Sequence, residues 1–179
     1  MGLANNRNAK FLVENKAKAA DGTYSIYVLS DGVIYAPKDS MDLFRNMKKL
    51  ESLEGLENWD TRKVEGFYEM FSCCYKLEVL DLSSFVTTSL TDAYRNFNNC
   101  TNLKTIYVGD GWDMSKVTSS AAMFSDCKNL VGGNGTTYMG SDLKYACVDT
   151  PAVVDEEGNV ITEAIPGYLT YKAAEKTFP

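Results

Sequence analysis

Residues 74–82 read Cys74-Tyr75-Lys76-Leu77-Glu78-Val79-Leu80-Asp81-Leu82, and residues 100–108 read Cys100-Thr101-Asn102-Leu103-Lys104-Thr105-Ile106-Tyr107-Val108. The two stretches share one pattern. It recurs upstream as Met47-Lys48-Lys49-Leu50-Glu51-Ser52-Leu53 and begins again downstream at Cys127-Lys128-Asn129-Leu130. Successive starts lie 27, 26 and 27 residues apart. The register also holds outside these stretches. Trp59, Phe85 and Trp112 are equivalent, as are Val64, Leu90 and Val117, and Phe44, Phe71, Phe97 and Phe124. A fixed period of this length marks a stacked repeat.

Each unit divides into two halves. In the first, Leu80, Asp81 and Leu82 alternate with period two, which predicts a short strand with the leucines inward and Asp81 outward. In the second, Leu90, Tyr94 and Phe97 are spaced by four and three, which predicts a helix or helical turn with one apolar face. Val64, Tyr68 and Phe71, then Val117, Ala121 and Phe124, give the same face in the neighbouring units. Ser89-Leu90-Thr91-Asp92 fits a capping box at the start of that helix. One such unit has a single apolar side. Burying a large side chain contributes roughly 1.5–3 kcal/mol, while ordering each backbone residue costs roughly 1–2 kcal/mol. A lone unit fails and stacked units share a core, so the expected fold is an α/β solenoid, with parallel strands on one side and helical turns on the other.

Composition narrows the function. The chain has 179 residues, 18 Lys+Arg against 24 Asp+Glu and a net charge of −6, which disfavours a nucleic-acid partner. With 45% hydrophobic and 23% charged residues it is expected to fold. Having no histidine, it offers no Ser-His-Asp or Cys-His nucleophile and few zinc ligands. No run is apolar and long enough for a membrane span. The first residues carry no apolar core of signal-peptide length, so the expectation is a mature or excised fragment, or a protein not exported by that route.

The runs MFSCCYKLEVLDLSSFVTTSLTDAYRNFNNCTNLKTIYV (70–108) and MFSDCKNLVGGNGTTY (123–138) resemble the BspA-like leucine-rich repeats of bacterial surface proteins. LVGGNGTTY, YACVDT and PGYLT resemble the way those proteins close their last repeat, so the likeness spans about residues 41 to 171. The chain departs from the pattern at Met47, at one extra residue in Leu53-Glu54-Gly55-Leu56, and in the long segment 151–165. That family occurs mostly on gut and oral bacteria and on some parasites. The resemblance implies a leucine-rich-repeat fold, a location on the cell surface or outside the cell, and adhesion or protein binding without catalysis. It transfers no catalytic residue and implies no cofactor.

The ends are expected to cap the stack, giving residues 1–40 as an N-terminal cap, 41–135 as repeats and 136–179 as a C-terminal β cap with a tail. Residues 4–20 read as a helix ended by Asp21-Gly22. Thr23–Leu29 and Val33–Ala36, joined by Ser30-Asp31-Gly32, read as a hairpin. A second hairpin is expected from Ala152–Val154 and Val160–Thr162, and a last strand over Gly167–Lys172.

Cys74, Cys100 and Cys127 form one repeat column. The expected reading is small buried residues, with a metal or redox ladder as the functional alternative. Cys73 and Cys147 lie off that column, and a disulfide between them is the less expected arrangement. Trp59, Phe85 and Trp112 read as a core ladder before a sugar-stacking row. Residues 155–166 lack the glycine and glutamate positions of a calcium loop, and Gly132-Gly133-Asn134-Gly135 lacks the lysine and helix of a phosphate loop and reads as a flexible exit.

The outward strand residues Glu54, Val79, Asp81, Thr105 and Tyr107 are the candidate ligand-binding positions, with no catalytic or metal residue among them. A protein partner is expected ahead of a glycan. The competing expectation is a structural, virion-type assembly or decoration protein.

Overall fold

In the computed structural model, residues 9–12, 22–30 and 32–175 are described. Among the described residues there are ten short strands: β1 (Ala9–Leu12), β2 (Tyr24–Ser30), β3 (Ile34–Tyr35), β4 (Leu50–Glu54), β5 (Trp59–Asp60), β6 (Val79–Leu82), β7 (Thr105–Val108), β8 (Val153–Val154), β9 (Val160–Thr162) and β10 (Leu169–Tyr171). The repeats coil into a β-solenoid of about three turns. β6 and β7 pair in parallel with Leu80 opposite Ile106 and Asp81 opposite Tyr107, and the leucines point inward as the alternation required. β10 adds to β7 in parallel, so residues 169–171 occupy the strand position of the next rung.

The α/β expectation is overturned. Among the described residues there is no α-helix, only the 3-10 turns Leu56–Asn58 and Leu143–Tyr145. The segments expected to be helical are runs of tight turns. Each contains two left-handed residues four apart: Asp42 and Asn46, Glu69 and Cys73, Arg95 and Asn99, Ala122 and Asp126, with φ between 49° and 63°. Between them, i to i+3 bonds such as Ser72 N–H to Glu69 O close successive turns. Alternate amides instead donate to the next coil: Phe67 to Asp92, Glu69 to Tyr94, Phe71 to Asn96 and Cys73 to Asn98, at 2.8–3.0 Å.

Spacing explains the choice. A helix satisfies its amides internally and is about 10 Å across, whereas neighbouring strands stand about 4.8 Å apart. Turns bonded coil to coil let both walls advance by nearly one strand spacing, and a helical wall does not. The four and three offsets that mimic a helix arise because each turn also brings a side chain inward every three to four residues. The capping box is likewise replaced: Ser89 Oγ donates to Arg62 O, and Asp92 accepts from Tyr94 N.

The core is a set of columns. Phe44, Phe71, Phe97 and Phe124 stack with centroids 5.4, 5.8 and 5.5 Å apart and planes within 15°. Leu50, Leu77, Leu103 and Leu130 are completely buried. Tyr168 ends the phenylalanine stack edge-on against Phe124 at 5.2 Å, its hydroxyl accepting from Met139 N and donating to Gly140 O.

The N-terminal expectations change too. Residues 9–12, placed in a helix above, form β1, antiparallel to β2; the rest of 4–20 lies outside the described residues. Segments 23–29 and 33–36 do not pair as a hairpin. β2 lies parallel to β4 and β3 parallel to β5, so both stack as rungs beneath the first full coil. Ile26 opposite Leu53 continues the inward column of Leu80 and Ile106. A 27-residue step back from Leu53 lands on Ile26, so the period itself carries this rung.

At the other end the Gly132–Gly135 loop is an ordered cradle. Asp149, buried, accepts from Asn134 N, Thr136 N and Thr136 Oγ1 at 2.7–2.9 Å. Burial raises its pKa, but these bonds outweigh that and hold the carboxyl below its ordinary value. A carboxylate with a depressed folded pKa stabilises above its unfolded pKa, about 3.9, and loses that contribution as pH falls toward the folded value. Asp149→Asn is expected to flatten the fall of the thermal midpoint between about pH 5 and about pH 2, read by circular dichroism. An unchanged slope would show that the cradle does not depend on the charge.

Candidate binding face

The outward residues of the strand wall form a row. Tyr27 of β2 lies opposite Glu54 of β4, and Asp81 of β6 lies opposite Tyr107 of β7, which in turn lies opposite Thr170 of β10. The two halves belong to separate sheets, β1-β2-β4 and β10-β7-β6. The break has a local cause. After β4 the chain turns at Gly55 (φ 86°) into the 3-10 turn. A Cβ at Gly55 would lie 1.9 Å from Val28 O, so only glycine fits. Asn58 Nδ2 locks the turn by donating to Val28 O and Gly55 O.

The break opens a cleft of about 340 Å³. Tyr27, Leu29, Leu53 and Leu56 give it apolar walls, and Glu54, Glu57, Asp81 and Glu175 give it acidic ones. Lys172 reaches back from beyond β10 to Asp81 and to Glu175, its ammonium 5.8 Å from the Tyr107 ring centre. Burial raises the Asp81 pKa, but the bonds from Lys172 and Ser83 hold it below the usual range; the bond to Asp81 raises that of Lys172. Among the described side chains, four carboxylates stand against one ammonium at the cleft, which favours a cationic group entering it.

Of the sequence candidates, Glu54 and Asp81 therefore line the cleft, and Tyr107 flanks it beneath Lys172. Val79 and Thr105 form a neighbouring cross-strand pair outside it, with the exposed Glu78–Lys104 ion pair alongside. Sequence reasoning missed Tyr27, Lys172 and Glu175. Tyr27 stands 27 residues before Glu54, so the period could have found it. No periodic signal could have placed Lys172 beside Asp81, because it returns after the repeats have ended.

The other constellations are structural. Cys74, Cys100 and Cys127 are buried, and their thiols donate to Phe44 O, Phe71 O and Phe97 O of the preceding coil at 2.9–3.1 Å. Burial pushes the Cys74 and Cys127 thiols up to about 12 and raises Cys100 as well, which opposes the thiolate that redox or metal chemistry needs. All five cysteines are free thiols, Cys73 and Cys147 included. Trp59 and Phe85 are buried, while half-buried Trp112 donates to Ala146 O. Among the described residues no helix is long and apolar enough to cross a membrane.

A short β-solenoid with one open acidic and aromatic strand face defines the class of this protein. Residues 38–135 match the family described as "Mycoplasma protein of unknown function, DUF285", and the chain belongs to that family. No curated protein and no solved structure matches it.

Proposed function

We propose that this chain is a non-catalytic protein-binding module of the BspA-like kind, acting in adhesion at a bacterial cell surface through its strand wall. The observation that carries the reading is the row Tyr27, Glu54, Asp81, Tyr107 across the cleft. Aromatic rings supply rigid contact area with a polar edge, and the carboxylates select a partner with basic side chains. A solenoid wall is an extended surface, suited to a protein partner more than to a small substrate. The resemblance of the repeat to surface adhesins supports the same reading.

The test immobilises the chain and challenges it with extracellular-matrix proteins and with bacterial surface extracts, in the presence of a chelator. A protein retained by the native chain is expected to bind the Glu54→Lys/Tyr107→Ala variant at least about tenfold more weakly, since reversing a charge and removing a ring at an interface together exceed about 1.4 kcal/mol. Equal retention by both, or no retained protein, would rule out the strand wall as the binding surface.

A further inference from the structure

The C-terminal hairpin stands apart from the solenoid. Among the described residues β8 and β9 pair only with each other, Val153 opposite Thr162 and Val154 opposite Val160. From 151 to 166 every residue but Asp155 is exposed. The pairing is irregular between Val153 and Val154, where β9 carries Ile161 as an extra residue with no partner opposite, and the two strands carry the apolar side chains Val153, Val154, Val160 and Ile161. Each of the four is more than half exposed, Ile161 at 66%. β3 to β7 and β10 each bury at least one residue, whereas β8 and β9 bury none. A two-stranded hairpin with no packed face is marginal in water, and its open edges invite pairing.

The arm is nonetheless held in shape. At its tip the Asp155 carboxylate accepts from Glu157 N, Asn159 N and Asn159 Nδ2. At its root Thr150 and Ile165 exchange both backbone hydrogen bonds at 3.0 Å. Gly167 follows, packed so closely on the Cys147 carbonyl that a Cβ would stand 2.2 Å from it. Such preorganisation lowers the ordering cost of docking.

Charge says what covers it. Between Cys147 and Lys172 there is no Lys or Arg, and the arm carries Asp155, Glu156, Glu157 and Glu163. The cleft on the strand wall of a second copy is itself acidic and would repel it. We infer that the β8–β9 hairpin is a second docking element, which inserts into an apolar protein groove or sheet edge rimmed by lysine or arginine. It is independent of the strand-wall reading and uses none of its residues.

The experiment uses the intact chain and, as probe, a short synthetic peptide of alternating valine and lysine, with its valine–glutamate counterpart as control. Expected is binding of the basic peptide with amide shifts confined to about 150–166 and no binding of the acidic one. Affinity should drop about tenfold in Val154→Ser/Ile161→Ser, and the thermal midpoint of that variant should be unchanged because both side chains are more than half exposed. Shifts on the strand wall, equal binding of both peptides, or a lowered midpoint in the variant would overturn the proposal. So would a dimer in sedimentation, or binding to phosphatidylcholine vesicles, that the variant loses. A failure here leaves the Glu54→Lys/Tyr107→Ala result untouched, so the two readings fail separately.

Discussion

Phe97→Ala is expected to lower the unfolding free energy by about 3–5 kcal/mol, the range for deleting a buried phenylalanine. Phe97 is completely buried, with Phe71 at 5.8 Å on one side and Phe124 at 5.5 Å on the other. Truncation therefore removes two stacking contacts, each worth about 0.5–1.5 kcal/mol beyond area, and leaves a void that neighbours bonded coil to coil are poorly able to fill. Phe71 N to Asn96 O, Phe97 N to Met123 O and the Cys127 thiol to Phe97 O pin the backbone on both sides of the gap. The measurement is urea unfolding of the native chain, Phe97→Ala, Phe71→Ala and the double variant. A coupling energy above about 0.5 kcal/mol is expected for touching residues. A single-variant loss below about 1.5 kcal/mol would mean that the aromatic column is not the spine of the stack.

That column was legible in the sequence because a solenoid repeats its core at a fixed interval, and phenylalanine at a constant register has no other economical place. The same holds for Leu80 and Leu82 inward with Asp81 outward, and for the hairpin of β8 and β9, whose turn residues Asp155, Gly158 and Asn159 flank valine and isoleucine. The turn wall was misread because spacing alone does not separate a helix from consecutive turns. The discriminating residues were present: Asp42, Asn46, Asn99 and Asp126 at the left-handed positions are types that tolerate positive φ. The hairpin assigned to 23–36 failed because a turn signal is local, while the parallel partner of each strand, β4 for β2 and β5 for β3, lies one full coil away. The Gly132 loop is ordered by Asp149, a partner no local signal connects to it. Of the candidate face, the outward row was readable from alternation. The cleft was not, because it depends on the single glycine that breaks the wall and on Lys172 returning from beyond the repeats.

Asn96→Leu is expected to act in the opposite direction and stabilise the protein by about 2 kcal/mol, since a buried polar group without a partner costs about 1–3 kcal/mol. Asn96 occupies the column of Met70 and Met123, both wholly buried, and is itself wholly buried. Neither its Oδ1 nor its Nδ2 has a hydrogen-bond partner. Its backbone meanwhile is fully engaged, N to Ala93 O and O from Phe71 N, so the main chain does not depend on the amide. Leucine keeps the branching of asparagine and replaces two unpaired polar atoms with methyl groups, restoring the apolar character of the positions above and below. Roughly 2–4 °C per kcal/mol is expected for a chain of this size, so the thermal midpoint should rise by about 4–8 °C. Asn96→Ala separates the contributions, since it removes the polar atoms but leaves a void, and should lie between the native chain and Asn96→Leu. If both variants lower the midpoint, the amide is satisfied in solution, and the apolar column through Met70 and Met123 is interrupted by a polar contact that holds the third coil in place.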